Sequence, residues 1–157
     1  MIRLSRLADY AVVLMSQAAR EPAAVHNALS LAEATHLPAP TVSKILAMLA
    51  RDGLLESSRG REGGYRLAHP ANQISADAII AAVDGPIALT VCVDHGHGAS
   101  QCEIEALCPS RANWQRINDA VRGALRQVML ADLAAPPALT FDQALQPLRD
   151  LGQSRPG

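Results

Sequence analysis

At 157 residues, 49% of them apolar but only 3% aromatic, the chain fits one domain, or one small domain with an appended element, and carries enough apolar material for a core. Ala and Leu dominate that material, which favours helices packed through small side chains and disfavours a sandwich or barrel built on Val, Ile, Tyr and Phe. The formal net charge of −1 excludes a global basic field, so any nucleic-acid contact has to come from a local patch.

The opening MIRLSRLADYAVVLMSQAAR carries Asp9 and Gln17 and lacks a small-residue cleavage site after a continuous apolar run, so it reads as an amphipathic helix rather than a signal peptide. Over residues 3–20, Leu4, Leu7, Ala11, Leu14 and Ala18 recur at helical spacing. A polar stretch ends in Ser30, placed to cap a short helix, LAEATH. LPAPT then interrupts the chain twice with proline, and a second helix, TVSKILAMLARDG, stops at Gly53. Two short helices joined by a tight proline-containing turn make a helix-turn-helix candidate. LLESS, RGREGGY and RLAH follow, short extended segments about a glycine-rich tip, which describe the β-hairpin wing of a winged helix. Pro70 ends the wing, and ISADAIIAAVDG is a further amphipathic helix closed by Gly85.

Residues 86–110 change character and gather all three cysteines and two histidines into one irregular stretch. Beyond it, RANWQRINDAVRGALRQVMLADL is the longest periodic segment. Trp114, Ile117, Val121, Leu125 and Val128 form an apolar stripe opposite Arg116, Asp119, Arg122 and Arg126. Trp114 reads as a packing anchor. AAPPALT is a linker, and the tail after it is expected to be a short helix with frayed ends. No stretch approaches the roughly 20 apolar residues of a membrane span, so the expected location is the cytoplasm, where thiols stay reduced.

In the second helix of the helix-turn-helix, Val42, Ile45, Leu46 and Leu49 are expected inside, leaving Thr41, Ser43, Lys44, Ala47 and Met48 outside. Small and hydrogen-bonding groups near the start of a recognition helix permit close approach to base edges. Lys44 can donate to guanine acceptors or to phosphate, and Thr41 and Ser43 can bond bases or backbone. The wing tip adds Arg59 and Arg61 beside flexible glycines, suited to phosphate contact or minor-groove insertion. From Thr41 to Arg66 five positives (Lys44, Arg51, Arg59, Arg61, Arg66) face three negatives (Asp52, Glu56, Glu62), a local excess of two.

Cys92, Cys102 and Cys108 are separated by nine and five residues, neither being the tight two-residue spacing of a zinc ribbon. Thiolates bind soft metals, and three in one loop can converge on one centre. They leave a four-coordinate site one ligand short. His95 and His97 are candidates within the loop, Asp9 and His36 from elsewhere. The alternatives are buried apolar cysteines, or a zinc-stabilised regulator without a cluster. An enzyme using these thiols would want a CxxC pair or a cysteine beside a base, and neither stands out.

RLSRLADYAVVLM, LAEATHLPAPTVSKILAMLARDGLLESSRGREGGYRLA and a three-cysteine loop before a long helix together resemble the Rrf-type winged-helix regulators, over about residues 1–131. The match is nearest to the branch that regulates the SUF iron–sulfur assembly system. The resemblance implies a mainly α winged helix-turn-helix with a small β-hairpin wing and a long C-terminal dimerisation helix. The corresponding division is 1–85 for DNA binding, 86–110 for the cysteine-rich loop, 111–132 for dimerisation and 133–157 for linker and tail. It implies a homodimer on a two-fold symmetric double-stranded operator, contacted through Thr41, Ser43, Lys44, Arg59, Arg61, Gly63, Gly64 and Tyr65. It also implies an iron–sulfur cluster, 2Fe–2S or 4Fe–4S, on Cys92, Cys102 and Cys108. The IscR-like branch adds a histidine three residues after the last cysteine, where this chain has Arg111. The NsrR-like pattern adds an acidic residue from the partner's first helix, matched by Asp9, and the RsrR-like pattern a histidine before the recognition turn, matched by His36. Asp9 is the preferred fourth ligand and His36 the runner-up. The long gap between Cys92 and Cys102 departs from the family's usual five-residue spacing. The implied function is a repressor of iron–sulfur assembly genes that senses cluster supply, with a nitric-oxide or redox sensor of the same family as the alternative.

Overall fold

The computed structural model describes residues 4–60, 63–93 and 108–135. Helix α1 (Arg6–Ala18) begins at Ser5, whose hydroxyl accepts from the Ala8 N–H at 3.1 Å and donates to the Asp84 carboxylate at 2.6 Å. One side chain therefore both caps α1 and ties it to Asp84, which lies 79 residues on.

Helices α2 (Ala28–Thr35) and α3 (Ala39–Arg51) form the helix-turn-helix, and both begin earlier than the sequence suggests. The cap of α2 is Asn27, which accepts from the Ser30 N–H at 2.7 Å, so Ser30 lies inside the helix. Pro40 does not break the chain. It sits in the first turn of α3, where a missing N–H leaves no helical bond unmade. The turn itself is made by His36 in the left-handed region (φ 56) and closed by the Leu37 N–H on the Ala32 carbonyl.

Strands β1 (Leu55–Ser58) and β2 (Gly64–Leu67) pair antiparallel, Leu55 opposite Leu67 and Ser58 opposite Gly64. A bridge from His26 to Tyr65, with reciprocal backbone bonds of 2.8 Å, adds the segment before α2 to the edge of this hairpin. Helix α4 (Ala76–Asp84) is capped by Ser75 and closed at Gly85. Its inner face, Ile79, Ile80 and Val83, completes a core with Ala8, Ala11, Leu14 and Met15 of α1 and Val42, Ile45, Leu46 and Leu49 of α3. Small residues on α1 permit the close contact between α1 and α4 that the alanine-rich composition anticipates.

The long C-terminal helix is shorter than its periodicity suggests. α5 runs Arg111–Gln127, the chain turns extended at Val128, and a one-turn helix α6 (Leu130–Ala134) follows. The break is held from outside the helix. Ala76 N–H bonds the Val128 carbonyl at 2.9 Å and Leu130 N–H bonds the Ile74 carbonyl at 2.7 Å, which drives Leu130 fully into the core.

The polarity of α5 is the reverse of a core helix. Trp114 and Ile117 stay 39% and 46% exposed, whereas Asn118 is its one buried residue and Arg122 and Arg126 reach inward to Asp77 of α4. The stripe Asn118, Arg122, Arg126 repeats every four residues, so one polar face docks α5 on its own domain. The apolar stripe read from the sequence is left largely open, with only Leu125 packed against the core.

Candidate nucleic-acid interface and cysteine segment

Val42, Ile45, Leu46 and Leu49 anchor α3 in the core, and the opposite face presents Ser43, Lys44 and Ala47 to solvent, with Thr41 half-buried at the first turn. Met48, expected outside, instead packs partly against the core. Arg51 and Arg59 are exposed on either side of β1. A helix face this free of bulk, followed by a hairpin with a cationic tip, has the form of a recognition helix with its wing.

The wing depends on close backbone approach. A Cβ at Gly64 would lie 2.5 Å from the His26 carbonyl oxygen, and one at Gly63 would lie 2.5 Å from the Ser58 carbonyl oxygen. Both glycines are therefore required by the fold, whatever else they touch. Tyr65 is likewise engaged, its backbone by His26 and its ring partly by the core. Glu56 holds Arg66 across the strands at 2.6 Å, while Arg59 at the tip has no ion pair among the described residues. Arg61 lies outside the described residues.

Cys92 is buried in a 3₁₀ turn, Val91–Val93, that packs against α5. Its sulfur is 3.2 Å from the Thr90 hydroxyl. Cys108 is half-buried three residues before α5 begins, and both thiols are free. Two reduced thiols beside one helix are the donors that a soft metal or an iron–sulfur cluster requires, so the residues present fit such a group in their chemistry. Cys102, His95 and His97 lie outside the described residues. Among the described residues no three His, Cys, Asp or Glu side chains converge. Asp9 stands exposed in the first turn of α1, and His36 is exposed at the end of α2 with a structural duty of its own in the turn.

Two polar side chains at this site went unread in the sequence. Asn118 accepts from the Leu89 N–H at 3.0 Å and donates to the Ile87 carbonyl at 3.2 Å, and Asp77 receives Arg122 and Arg126 of α5. The four-residue spacing of Asn118, Arg122 and Arg126 was the available signal, but the apolar stripe beside it claimed the inward face.

A recognition helix, a glycine-dependent wing and a helix with an open apolar face define a winged-helix DNA-binding regulator. Residues 4–136 match the Rrf2 family model, described as an iron-dependent transcriptional regulator, and the chain belongs to that family. It is 34% identical over 134 residues to the HTH-type transcriptional regulator Rv1287 of Mycobacterium tuberculosis, covering 85% of this chain and 81% of that protein. It is 29% identical over 133 residues to the HTH-type transcriptional regulator IscR of Escherichia coli, covering 84% and 80%. Among solved structures it resembles CymR, the global cysteine regulator of Bacillus subtilis, with a TM-score of 0.65, 28% identity and coverage of 85% and 97%. The chain is thus a DNA-binding transcriptional regulator and not an enzyme. Among the described residues no helix is long and apolar enough to cross a membrane.

Proposed function

We propose that this protein is a cluster-sensing repressor of iron–sulfur assembly (SUF) genes. The observation that carries the reading is the grouping of Cys92, Cys102 and Cys108 within seventeen residues directly before α5, with Cys92 and Cys108 free and the turn of Cys92 seated on that helix. In this reading the three thiolates hold a 2Fe–2S or 4Fe–4S cluster, and Asp9 of the partner subunit completes the site, with His36 as the second choice. The exposure of Asp9 leaves its carboxylate free to serve another copy of the chain. A cluster held by Cys92, Cys102 and Cys108 would supply iron chemistry sensitive to iron supply and oxidation, and those three thiolates would then be held in one arrangement.

The chain's own residues then carry the response. The open face of α5 around Trp114 and Ile117 fits a homodimer in which the long helices cross. That pairing sets the distance between the two α3 helices on a two-fold symmetric operator. Thr41, Ser43 and Lys44 read the major groove, and Arg59 and Arg61 grip the flanking backbone. Gly63, Gly64 and Tyr65 shape the wing that carries those arginines. Repression follows from operator occupancy in one arrangement of the loop and its loss in the other.

Protein purified without oxygen tests the reading. It is expected to be coloured, with visible absorbance and stoichiometric iron and sulfide. Colourless protein loaded with zinc would overturn the cluster reading in favour of a zinc-stabilised regulator. A cluster that is indifferent to iron supply but lost on exposure to nitric oxide would move the sensor to that signal.

A further inference from the structure

We propose that Asn118 is the positioning residue for Cys92, clamping the backbone of residues 87–89 to α5 and so fixing where the thiol stands. Asn118 is 3% exposed and occupies the place where a docking helix ordinarily buries an apolar side chain. A desolvated carboxamide needs partners, and both of its ends are satisfied by one stretch of backbone. Its oxygen accepts from the Leu89 N–H and its nitrogen donates to the Ile87 carbonyl, as a neighbouring strand would do. A leucine at this position would fill the same space but leave both backbone groups without these partners.

The short path from the clamp to the sulfur makes it a device for position. Leu89 precedes Cys92 by three residues, and the intervening turn is closed by the Val93 N–H on the Thr90 carbonyl at 3.1 Å. Thr90 also brings its hydroxyl against the Cys92 sulfur. At its other end the clamp is registered on the winged helix, because Arg122 and Arg126, on the same face of α5, grip buried Asp77. Cys92 is thereby placed relative to α4 through side chains on one helix face. As a statement about a cluster ligand the inference rests on the proposed function; as a statement about the thiol it stands alone.

The test uses the full reduced chain, metal-free, in two variants, Asn118→Ala and the near-isosteric Asn118→Leu, which keeps the packing should the alanine variant fold poorly. The rate of alkylation by N-ethylmaleimide is followed separately at Cys92 and Cys108 by peptide mass spectrometry. Cys92 should react about tenfold faster in both variants, the scale expected when two neutral hydrogen bonds are lost from a local opening equilibrium. Cys108 should change less than about twofold, on the same reasoning that sites outside the opening unit are spared. In anaerobic cluster-loaded protein the same variants should alter the visible circular dichroism. An unchanged Cys92 rate, or equal acceleration at both cysteines, would overturn the proposal. Wild-type protein devoid of iron and sulfide would instead remove the cluster reading, and the alkylation contrast would still decide the role of Asn118.

Discussion

Lys44 stands exposed on α3 beside Ser43 and Ala47, and its ammonium has no acidic partner among the described residues. Lys44→Ala is expected to weaken operator binding and, if the contact is to phosphate, to lower the salt slope by about one unit, measured by titration across salt concentrations. Unchanged binding would place Lys44 outside the interface. Gly64 makes the opposite kind of case, since its requirement is internal. Gly64→Ala forces a methyl group against the His26 carbonyl and should cost about 1–3 kcal/mol in denaturant unfolding, the range of overpacking. Asp9, exposed on α1, should be neutral to folding when replaced by alanine but should shorten the lifetime of the proposed cluster, followed by bleaching of visible absorbance. Bleaching at the wild-type rate would transfer the ligand role to His36. At this scale the sequence was readable where exposure decides, as at Ser43 and Lys44. It was unreadable where backbone approach decides: nothing local announces that Gly64 faces His26, 38 residues earlier.

Helices α1, α3 and α4 follow apolar periodicity, and so their existence was legible from spacing. Their starts were less so, because Asn27 outcompeted Ser30 as the cap of α2 and Pro40 was tolerated in the first turn of α3. α5 shows a deeper limit. A strong apolar stripe ordinarily marks the face that packs inside, yet here the polar stripe packs inside and the apolar one stays open. Single-chain periodicity identifies an amphipathic helix but not which face meets its own domain. The consequence is testable at Asp77, whose buried carboxylate has two arginine partners that themselves reach solvent. Asp77→Asn should lower stability by about 1–2 kcal/mol, less than for a fully buried ion pair, since neither arginine would be stranded without water. Calorimetry or denaturant titration measures the loss. A larger share of the effect should appear as exchange protection lost in α5 than in α3, because the two arginines that hold Asp77 belong to α5.

For the whole molecule, the winged helix is closed by its own core, while Trp114 and Ile117 of α5, and Val128 just after it, stay more than one-third exposed. A second copy of the chain is the proposed cover. Ile117→Asp should yield a monomer by sedimentation, with intact helical content and operator affinity reduced by at least about tenfold as the second half-site is lost. A variant that stays dimeric would place the interface elsewhere. The fold and the family were legible because the helix-turn-helix, the wing and the cysteine loop each leave a local pattern. The proposed ligand set was not, because in that arrangement it draws on distant parts of the chain and on a second chain. The central claim is that the state of the cysteine centre governs DNA binding. One titration tests it most directly: operator affinity of a single anaerobic preparation, measured with its cluster and again after the cluster is removed. The two affinities are expected to differ by about tenfold or more, a coupling of roughly 1.4 kcal/mol. Equal affinities in the two states, with iron and sulfide shown to be present in one and absent in the other, would contradict it.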